Sequence, residues 1–315
     1  MLEFATAEEA SMDAFLSVSE ASPYRDQLRD YAQSLLQQRC TKPDWCVLGL
    51  EAGIPVARAA LWALPGQEVP TDIVLIEADW SDSRLTAGHA LLTKLHELAG
   101  ALGADTLSHS VDSPPAAPQY QENEDARIRL LTGSGYELLR DGLRWRHSAP
   151  GSDEAVQQYS LAFRTLPEVG EDAFVDAIAL TYQGTRDSWI GRNIEERGMS
   201  GAAREDFHDQ QGMDYRPEWW ELAYTVDSAL AGVIMAARNP GVAVISYVGI
   251  VPDQRGRGLA SELVRRGTQR LRESGADEIR GDCDLDNVGM VKAFERAGYE
   301  QFARRRTYNR AISSG

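Results

Sequence analysis

The stretch "AVISYVGIVPDQRGRGLASELVRR" (Ala243–Arg266) decides the fold. Its first nine residues are mostly β-branched or apolar, as in a buried strand. After Pro252, two glycines fall one residue apart, Gly256 and Gly258. From Leu259 onward the apolar residues recur at helical spacing. Leu259, Leu263, Val264, Gly267 and Leu271 share one face and the arginines lie outward. A strand, a glycine-rich loop and a helix in that order can form an anion cradle. Successive N–H groups converge at the turn, the helix dipole adds partial positive charge, and glycine lets a phosphate come close. The kinase-type cradle needs G-x-x-x-x-G-K-[ST], and no such string occurs in the chain. The dinucleotide pattern G-x-G-x-x-G is absent at this turn.

The elements around this stretch read as a mixed fold. "QYSLAFRTL" alternates like a strand, and "EDAFVDAIALTYQG" is an amphipathic helix with Phe174, Ala177 and Ile178 on one face. "GAAREDFHDQQG" is a shorter helix. "WWELAYTVD", "LAGVIMAAR" and "VAVISYVGIV" are strands with short turns between them. Beyond the long helix follow the strand "EIRGDCDL", the helix "NVGMVKAFERAG" and a last strand in "YEQFARRRTYNRA". The first half repeats part of this order. "WCVLGLEAG", "IPVARAALWAL" and "DIVLIEADW" are strands, followed by the helix "AGHALLTKLHELAGALG".

Two local matches support the repeat. "LGADTLSHSVD" (Leu102–Asp112) parallels "SGADEIRGDCD" (Ser274–Asp284), and "LTGSGYELLRDGLRW" (Leu131–Trp145) parallels "FERAGYEQFARRRTY" (Phe294–Tyr308). The offset changes between them, and the insertion "SPPAAPQYQENED" absorbs the change. Such proline-rich insertions belong in surface loops. The small, polar stretch around Pro150 and Gly151 reads as a linker. The expected organisation is a first domain over 1–147, a linker over 148–157 and a second domain over 158–315. An antiparallel meander joined to a strand–helix–strand crossover is an α/β (α+β), three-layer design.

With these residues in view, the second half resembles the GNAT superfamily of N-acyltransferases over most of Gln158–Arg310. The likeness rests on the loop pattern R/Q-x-x-G-x-G/A, matched at Arg255–Ala260. It rests also on a downstream N-x-x-A-x-x-L-Y-E-K-L-G-F, matched in "NVGMVKAFERAGY" at Asn287, Glu295 and Gly298. The resemblance implies two tandem GNAT folds, each a mixed, mostly antiparallel sheet flanked by helices. It implies acetyl-CoA as cosubstrate. Arg255, Gly256, Arg257, Gly258, Leu259, Ala260 and Ser261 would hold its phosphates. The strand Val248, Gly249, Ile250 would pair with its pantetheine arm, with Asn287 and Phe294 nearby. Asn287 also suits a helix N-cap. The first-half counterpart of the loop, "DWSDSRLTAGHALL", sets Ser83 opposite Arg255 and Thr86 opposite Gly258. Only Gly88, opposite Ala260, stays small, so the first copy would lack a phosphate site.

The acid and base are harder to place. Acyl transfer to an amine needs proton removal, oxyanion stabilisation and an acid for the leaving thiolate. The tyrosine common before E-K-L-G-F in the superfamily is Phe294 here, which cannot donate. The strand before the loop has no carboxylate. Tyr247, Ser246 and Glu221 stand as catalytic candidates, with Asp282 and Asp284 behind them. His208 reads as surface. Trp219 and Trp220, read as strand neighbours, would face opposite sides. The histidines show no metal spacing, and Cys283 reads as buried strand.

The bulk properties are compatible with this reading. The chain has 315 residues, 43% of them hydrophobic, with a formal net charge of −16. That charge repels nucleic acid and anionic membrane on average, although Arg255, Arg257, Arg265 and Arg266 cluster in sequence. Three cysteines make no disulfide framework or zinc site. No signal peptide or membrane span is legible, so a cytoplasmic location is expected. The expected function is acetyl transfer from acetyl-CoA to a primary amine of a small molecule, directly in a ternary complex. A non-catalytic acetyl-CoA-binding module is one alternative. The layout also resembles mycothiol synthase, which would imply a sugar-linked cysteine amine as acceptor.

Overall fold

The structure, a computed structural model, describes residues 2–19, 21–81, 85–148, 158–239 and 242–312. Most of the expected linker, 149–157, lies outside the described residues, as does 82–84 of the first-half loop, with Ser83. The chain forms two compact units. One holds Met1–Asp141 and Ala303–Gly315, the other Gly142–Phe302.

In chain order the elements are β1 (Leu2–Thr6), α1 (Met12–Ser17), α2 (Arg25–Gln37), β2 (Cys46–Glu51), β3 (Ile54–Trp62), β4 (Asp72–Ala78), α3 (Leu85–Ala101), β5 (Thr106–Ser113), α4 (Glu124–Gly133) and β6 (Glu137–Ser148). There follow β7 (Ala162–Thr165), α5 (Leu166–Val169), α6 (Glu171–Tyr182), α7 (Ser188–Gln211), β8 (Glu221–Tyr224), β9 (Leu230–Arg238), β10 (Ala243–Ile250), α8 (Leu259–Glu273), β11 (Glu278–Asp284), α9 (Val288–Arg296) and β12 (Glu300–Ala311).

The units do not divide at a single point of the chain. In the first, the strand order is β1-β2-β3-β4-β5-β12. Its last strand comes from the end of the sequence, in register from Arg304↔Ser113 to Ala311↔Thr106. In the second, the order is β6-β11-β10-β9-β8-β7, with β6 in register from Ser148↔Glu278 to Gly142↔Asp284. The two copies have therefore exchanged their final strands. Each sheet is mixed. β4 and β5 are parallel in the first, β10 and β11 in the second, and the remaining paired neighbours described above are antiparallel.

Each unit is built in three layers. In the first, α3 and α4 cover one sheet face through Leu91, Leu95, Leu130 and Leu131. The α1 and α2 side chains Phe15, Leu28 and Leu35 pack on the other face. In the second, α8 lies close on β9 and β10 because Gly267 has no side chain. A Cβ there would come within 2.8 Å of Ile245 and 2.9 Å of Ile234. Leu263, Val264 and Leu271 of α8 are buried as the helical spacing predicts. On the opposite face, Phe174, Ala177 and Ile178 of α6 are buried, also as read.

Three local readings change. The helix expected from Gly201 begins at Ser188, where Asp187 caps it by accepting from the N–H groups of Trp189 and Ile190. It is broken at Gly198, with φ +69 and ψ 166. The two tryptophans do not alternate on a strand. Trp219 ends a 3-10 turn, and both side chains are buried. Trp220 donates its indole N–H to Ala236 O at 3.1 Å and stacks on Tyr215.

Candidate active site

The site begins with a fork in the second sheet. Among the described residues, β10 and β11 pair only at Ala243↔Ile279 and Val244↔Arg280. Beyond those residues they part, and β10 continues to Ile250 bonded to β9 alone. The register with β9 shifts between Ile245 and Tyr247, which makes Ser246 the extra residue of a bulge. A bulge bends its strand and raises the local twist, which helps to drive two strands apart. The edge of β10 from Tyr247 to Ile250 is thus left without a strand neighbour on its β11 side.

The glycine-rich loop closes the end of β10. Gly256 and Gly258 have φ +74 and +79, the left-handed region that glycine enters at little cost. Gly258 sits at the N-cap of α8, and no side chain caps the helix there. Among the described residues, the N–H groups of Gly256, Arg257, Gly258, Leu259 and Ala260 have no hydrogen-bond partner. A Cβ on Gly256 would meet nothing within 4 Å. Open space in front of five free donors at a helix N-terminus fits a pyrophosphate group.

The arginines do not gather at this cradle. Arg255 turns back into the protein. It donates to Ile250 O at 3.0 Å, Thr181 O at 2.8 Å and Gly184 O at 3.4 Å. It thus satisfies terminal carbonyls at the C-terminal end of α6, a helix-capping role rather than a phosphate contact. Arg257 is exposed and donates to Gln254. Arg266 is spent on Glu221.

The segment after α6 spans the fork. It is tied to the β10 side through Arg255. On the β11 side, the N–H and hydroxyl of Ser188 donate to Asp284 Oδ2 at 2.9 and 2.7 Å. Under it, Gly249 must be glycine, since a Cβ would meet Thr181 Oγ1 at 2.5 Å. Thr181 donates to Ile178 O at 2.7 Å, so the Tyr247 hydroxyl donates to Thr181. Burial pushes the Tyr247 phenol above its ordinary range. Beside it, the Tyr182 hydroxyl donates to Asp206, whose other oxygen accepts from Asn193 at 3.2 Å. Burial raises both Tyr182 and Asp206.

The structure brings Ser246, Tyr247, Val248, Gly249 and Ile250 to the fork and sets the 256–261 loop at its end. Ser246 donates to Met235 O of β9 at 3.2 Å. Two other candidates go elsewhere. Glu221 is 1% exposed, and both its oxygens accept from Arg266 at 2.7 Å, with Arg270 also at 2.7 Å. Both oxygens of that carboxylate are engaged by arginines. Phe294 is buried in the core, stacked on Trp145 with centroids 5.8 Å apart and pressed against Gly281. It packs beneath β11 and does not line the fork. Asn287 caps α9, its side chain accepting from Met290 N–H at 3.3 Å. Asp282 faces Arg144 of β6 at 3.6 Å. His208 is exposed, 4.0 Å from Glu171. Cys283 is buried.

Thr181, Asp206 and Ser188 were not foreseen from sequence. Thr181 alone left a signal. It follows Phe174 and Ile178 at i+7 and i+3, so a hydroxyl falls on the buried stripe of α6 and must find a partner there.

Residues 188–299 match the family model described as the acetyltransferase (GNAT) family. Over 238 residues the chain is 27% identical to the mycothiol acetyltransferase of Geodermatophilus obscurus, covering 70% of this chain and 68% of that one. Over 212 residues it is 33% identical to that of Clavibacter sepedonicus, covering 65% of each, just under two thirds of the relative's length. A GCN5-related N-acetyltransferase from Sphaerobacter thermophilus shares the fold, with a TM-score of 0.61 at 18% identity over 100% of this chain and 96% of that one. So does a tandem GNAT protein from the clavulanic acid biosynthesis pathway, with 0.51 at 16% over all of both chains. No helix among the described residues is long and apolar enough to cross a membrane. The chain is a tandem GNAT-fold acyltransferase, with its GNAT acetyltransferase domain in the second half.

Proposed function

We propose that the chain transfers an acetyl group from acetyl-CoA to the primary amine of a small molecule, directly and within a ternary complex. The observation that carries this reading is the fork of β10 and β11, which ends in the Gly256–Gly258 turn at the start of α8. The thioester would supply the acetyl group. The amine nitrogen forms the new bond to the acyl carbon as the carbon–sulfur bond breaks. The N–H groups of residues 256–260 would hold the pyrophosphate, and the edge of Val248, Gly249 and Ile250, where Arg255 already takes Ile250 O, would pair with the pantetheine amides. Ser261 and Asn287 would stand beside that path.

Positioning carries most of the rate on this reading. Holding both reactants in attack geometry lowers a barrier by roughly 7–11 kcal/mol in the best cases. The Tyr247 proton is committed to Thr181, and Ser246 is engaged with Met235. We place these two as walls of the acyl site, with protons leaving through solvent. The chain's negative charge, −16, favours a cationic acceptor.

A narrower acceptor is favoured by the relatives, which are mycothiol acetyltransferases. On that reading the acceptor is a sugar-linked cysteine amine from thiol-cofactor biosynthesis. The test is release of free coenzyme A thiol from acetyl-CoA over a panel of amines that includes cysteinyl glucosamine conjugates. Turnover on one amine class is expected. Acetyl-CoA binding with no turnover on any amine would leave a donor-binding module instead.

A further inference from the structure

The first unit also contains a fork. β4 and β5 run parallel, bond at Asp72 and Ser108, and then part. Against β3, β4 carries one extra residue between Val74 and Glu77, where Leu75 takes φ +56. A fork of this kind turns N–H and C=O groups of two strand edges toward each other. When buried, those groups need partners.

Here the chain's own side chains supply the partners. On the β4 edge, His109 Nδ1 donates to Ile73 O at 2.7 Å, Gln119 Oε1 accepts from Leu75 N–H at 2.9 Å, and Arg127 Nη1 donates to Ile76 O at 2.6 Å. On the β5 edge, Gln121 Nε2 donates to Ser110 O at 2.8 Å while its Oε1 accepts from Asp112 N–H at 3.0 Å. One amide that donates to residue i and accepts from residue i+2 does what one residue of a parallel neighbour would do. Gln121 Nε2 also reaches His109 Nε2 at 3.1 Å, so the two edges are joined across the fork.

The segment that carries these glutamines is the proline-rich insertion. The expectation of a surface loop holds for Pro114 and Pro115, which are exposed. It fails at Gln121, which is 3% exposed. The segment is anchored on both sides. Tyr120 stacks on Tyr24 with centroids 4.8 Å apart, Ser22 Oγ donates to Glu122 at 3.1 Å, and Arg127 Nε donates to Glu122 O at 2.6 Å. In the second unit, no side chain among the described residues bonds to the backbone of Tyr247, Val248 or Gly249.

We propose that Gln119 and Gln121, with His109 and Arg127, are a built-in occupant of the first unit's fork. They take the backbone groups that the amide arm of an acyl donor would use, so this unit takes up no acyl-CoA. The residues of this unit do not fit the donor. This holds whether or not the second unit transfers an acetyl group.

Hydrogen exchange on the full chain tests the proposal, read by peptides over 72–78 and 106–113. In the wild type, millimolar acetyl-CoA is expected to leave both peptides unchanged. Gln119→Met and Gln121→Met keep the length of the side chain and lose the amide. Exchange at Leu75 and Asp112 respectively should then rise roughly tenfold, the equivalent of one net hydrogen bond. Slower exchange of either peptide in the wild type with acetyl-CoA overturns the proposal, and so does an unchanged rate in both variants. If the variants do not fold, the wild-type comparison decides alone. Peptides over 246–260 report the second unit in the same sample, so the two readings fail separately.

Discussion

Arg255 Nη2 donates to the backbone carbonyl of Thr181 at 2.8 Å. The first residue of the glycine-rich motif is thereby a brace between that loop and the end of α6, where the strap to Ser188 begins. It follows that Arg255→Ala should weaken the acceptor side more than the donor side. We expect a loss of about 1–2 kcal/mol in unfolding free energy from the uncapped carbonyls. The Michaelis constant for the amine should rise, while acetyl-CoA affinity moves by less than about threefold, since backbone donors hold the phosphates. Steady-state kinetics in both substrates separates the two. A loss confined to acetyl-CoA binding would return Arg255 to the phosphate site.

Gly258 lies at φ +79, and a Cβ there would come within 3.4 Å of Arg296 Nη1. Gly258→Val should therefore reshape the cradle and abolish acetyl-CoA binding. Thr86→Val, at the equivalent place in the first unit, should leave binding intact, because Thr86 is exposed on α3 and the fork of that unit is filled. Equal losses at both positions would refute a single donor site.

The buried Glu221 pairs with the partly exposed Arg266 and Arg270. Glu221→Gln takes the anion from Arg266 and leaves Arg270 with Glu273 at 3.4 Å, and since both guanidinium groups are partly exposed it should cost roughly 1–3 kcal/mol of stability. Turnover per folded molecule should stay within about threefold of wild type, since only positioning at a distance changes. Chemical denaturation and activity at matched folded fraction give the two readings. A stable variant with turnover down a thousandfold would make Glu221 a base after all.

Acid should weaken the first unit. His96 is held at about 4 by burial and by Arg310, and His109 at about 4 mainly by burial. The hydrogen bonds agree, since each ring has one nitrogen that accepts from a pure donor. Arg310 donates to His96 Nδ1, and Gln121 Nε2 donates to His109 Nε2. A histidine whose pKa is depressed on folding stabilises above the unfolded value near 6.5 and loses that contribution as pH falls toward 4. By pH 5 the loss is on the order of 2 kcal/mol for each ring. Asp72, raised to about 6 by burial, takes up a proton over the same range and offsets part of it. Urea midpoints at pH 7 and pH 5 should fall in the wild type and fall less in His96→Gln.

Much of this was legible in the sequence, and the reasons differ by element. The strand–loop–helix around Gly256 and Gly258 was readable because its periods, its glycines and its order all agree. Core positions on α6 and α8 followed from spacing alone. The exchange of β6 and β12 was not readable, because both copies end in the same pattern and swapping them alters no local signal. Arg255 was misread because charge in a motif says nothing about where a long side chain turns. The filling of the first fork was hidden in an insertion whose prolines spoke for a surface loop while Gln121 was going inward. Phe294 is the opposite lesson. Its motif position set it beside the donor arm, yet its place is the core against Gly281.

The proposed function stands on one donor site per chain, in the fork of β10 and β11. Calorimetric titration of the full chain with acetyl-CoA counts such sites. The expected stoichiometry is one per chain, lost in Gly258→Val and kept in Thr86→Val. No heat at millimolar acetyl-CoA, or two sites per chain, would contradict it.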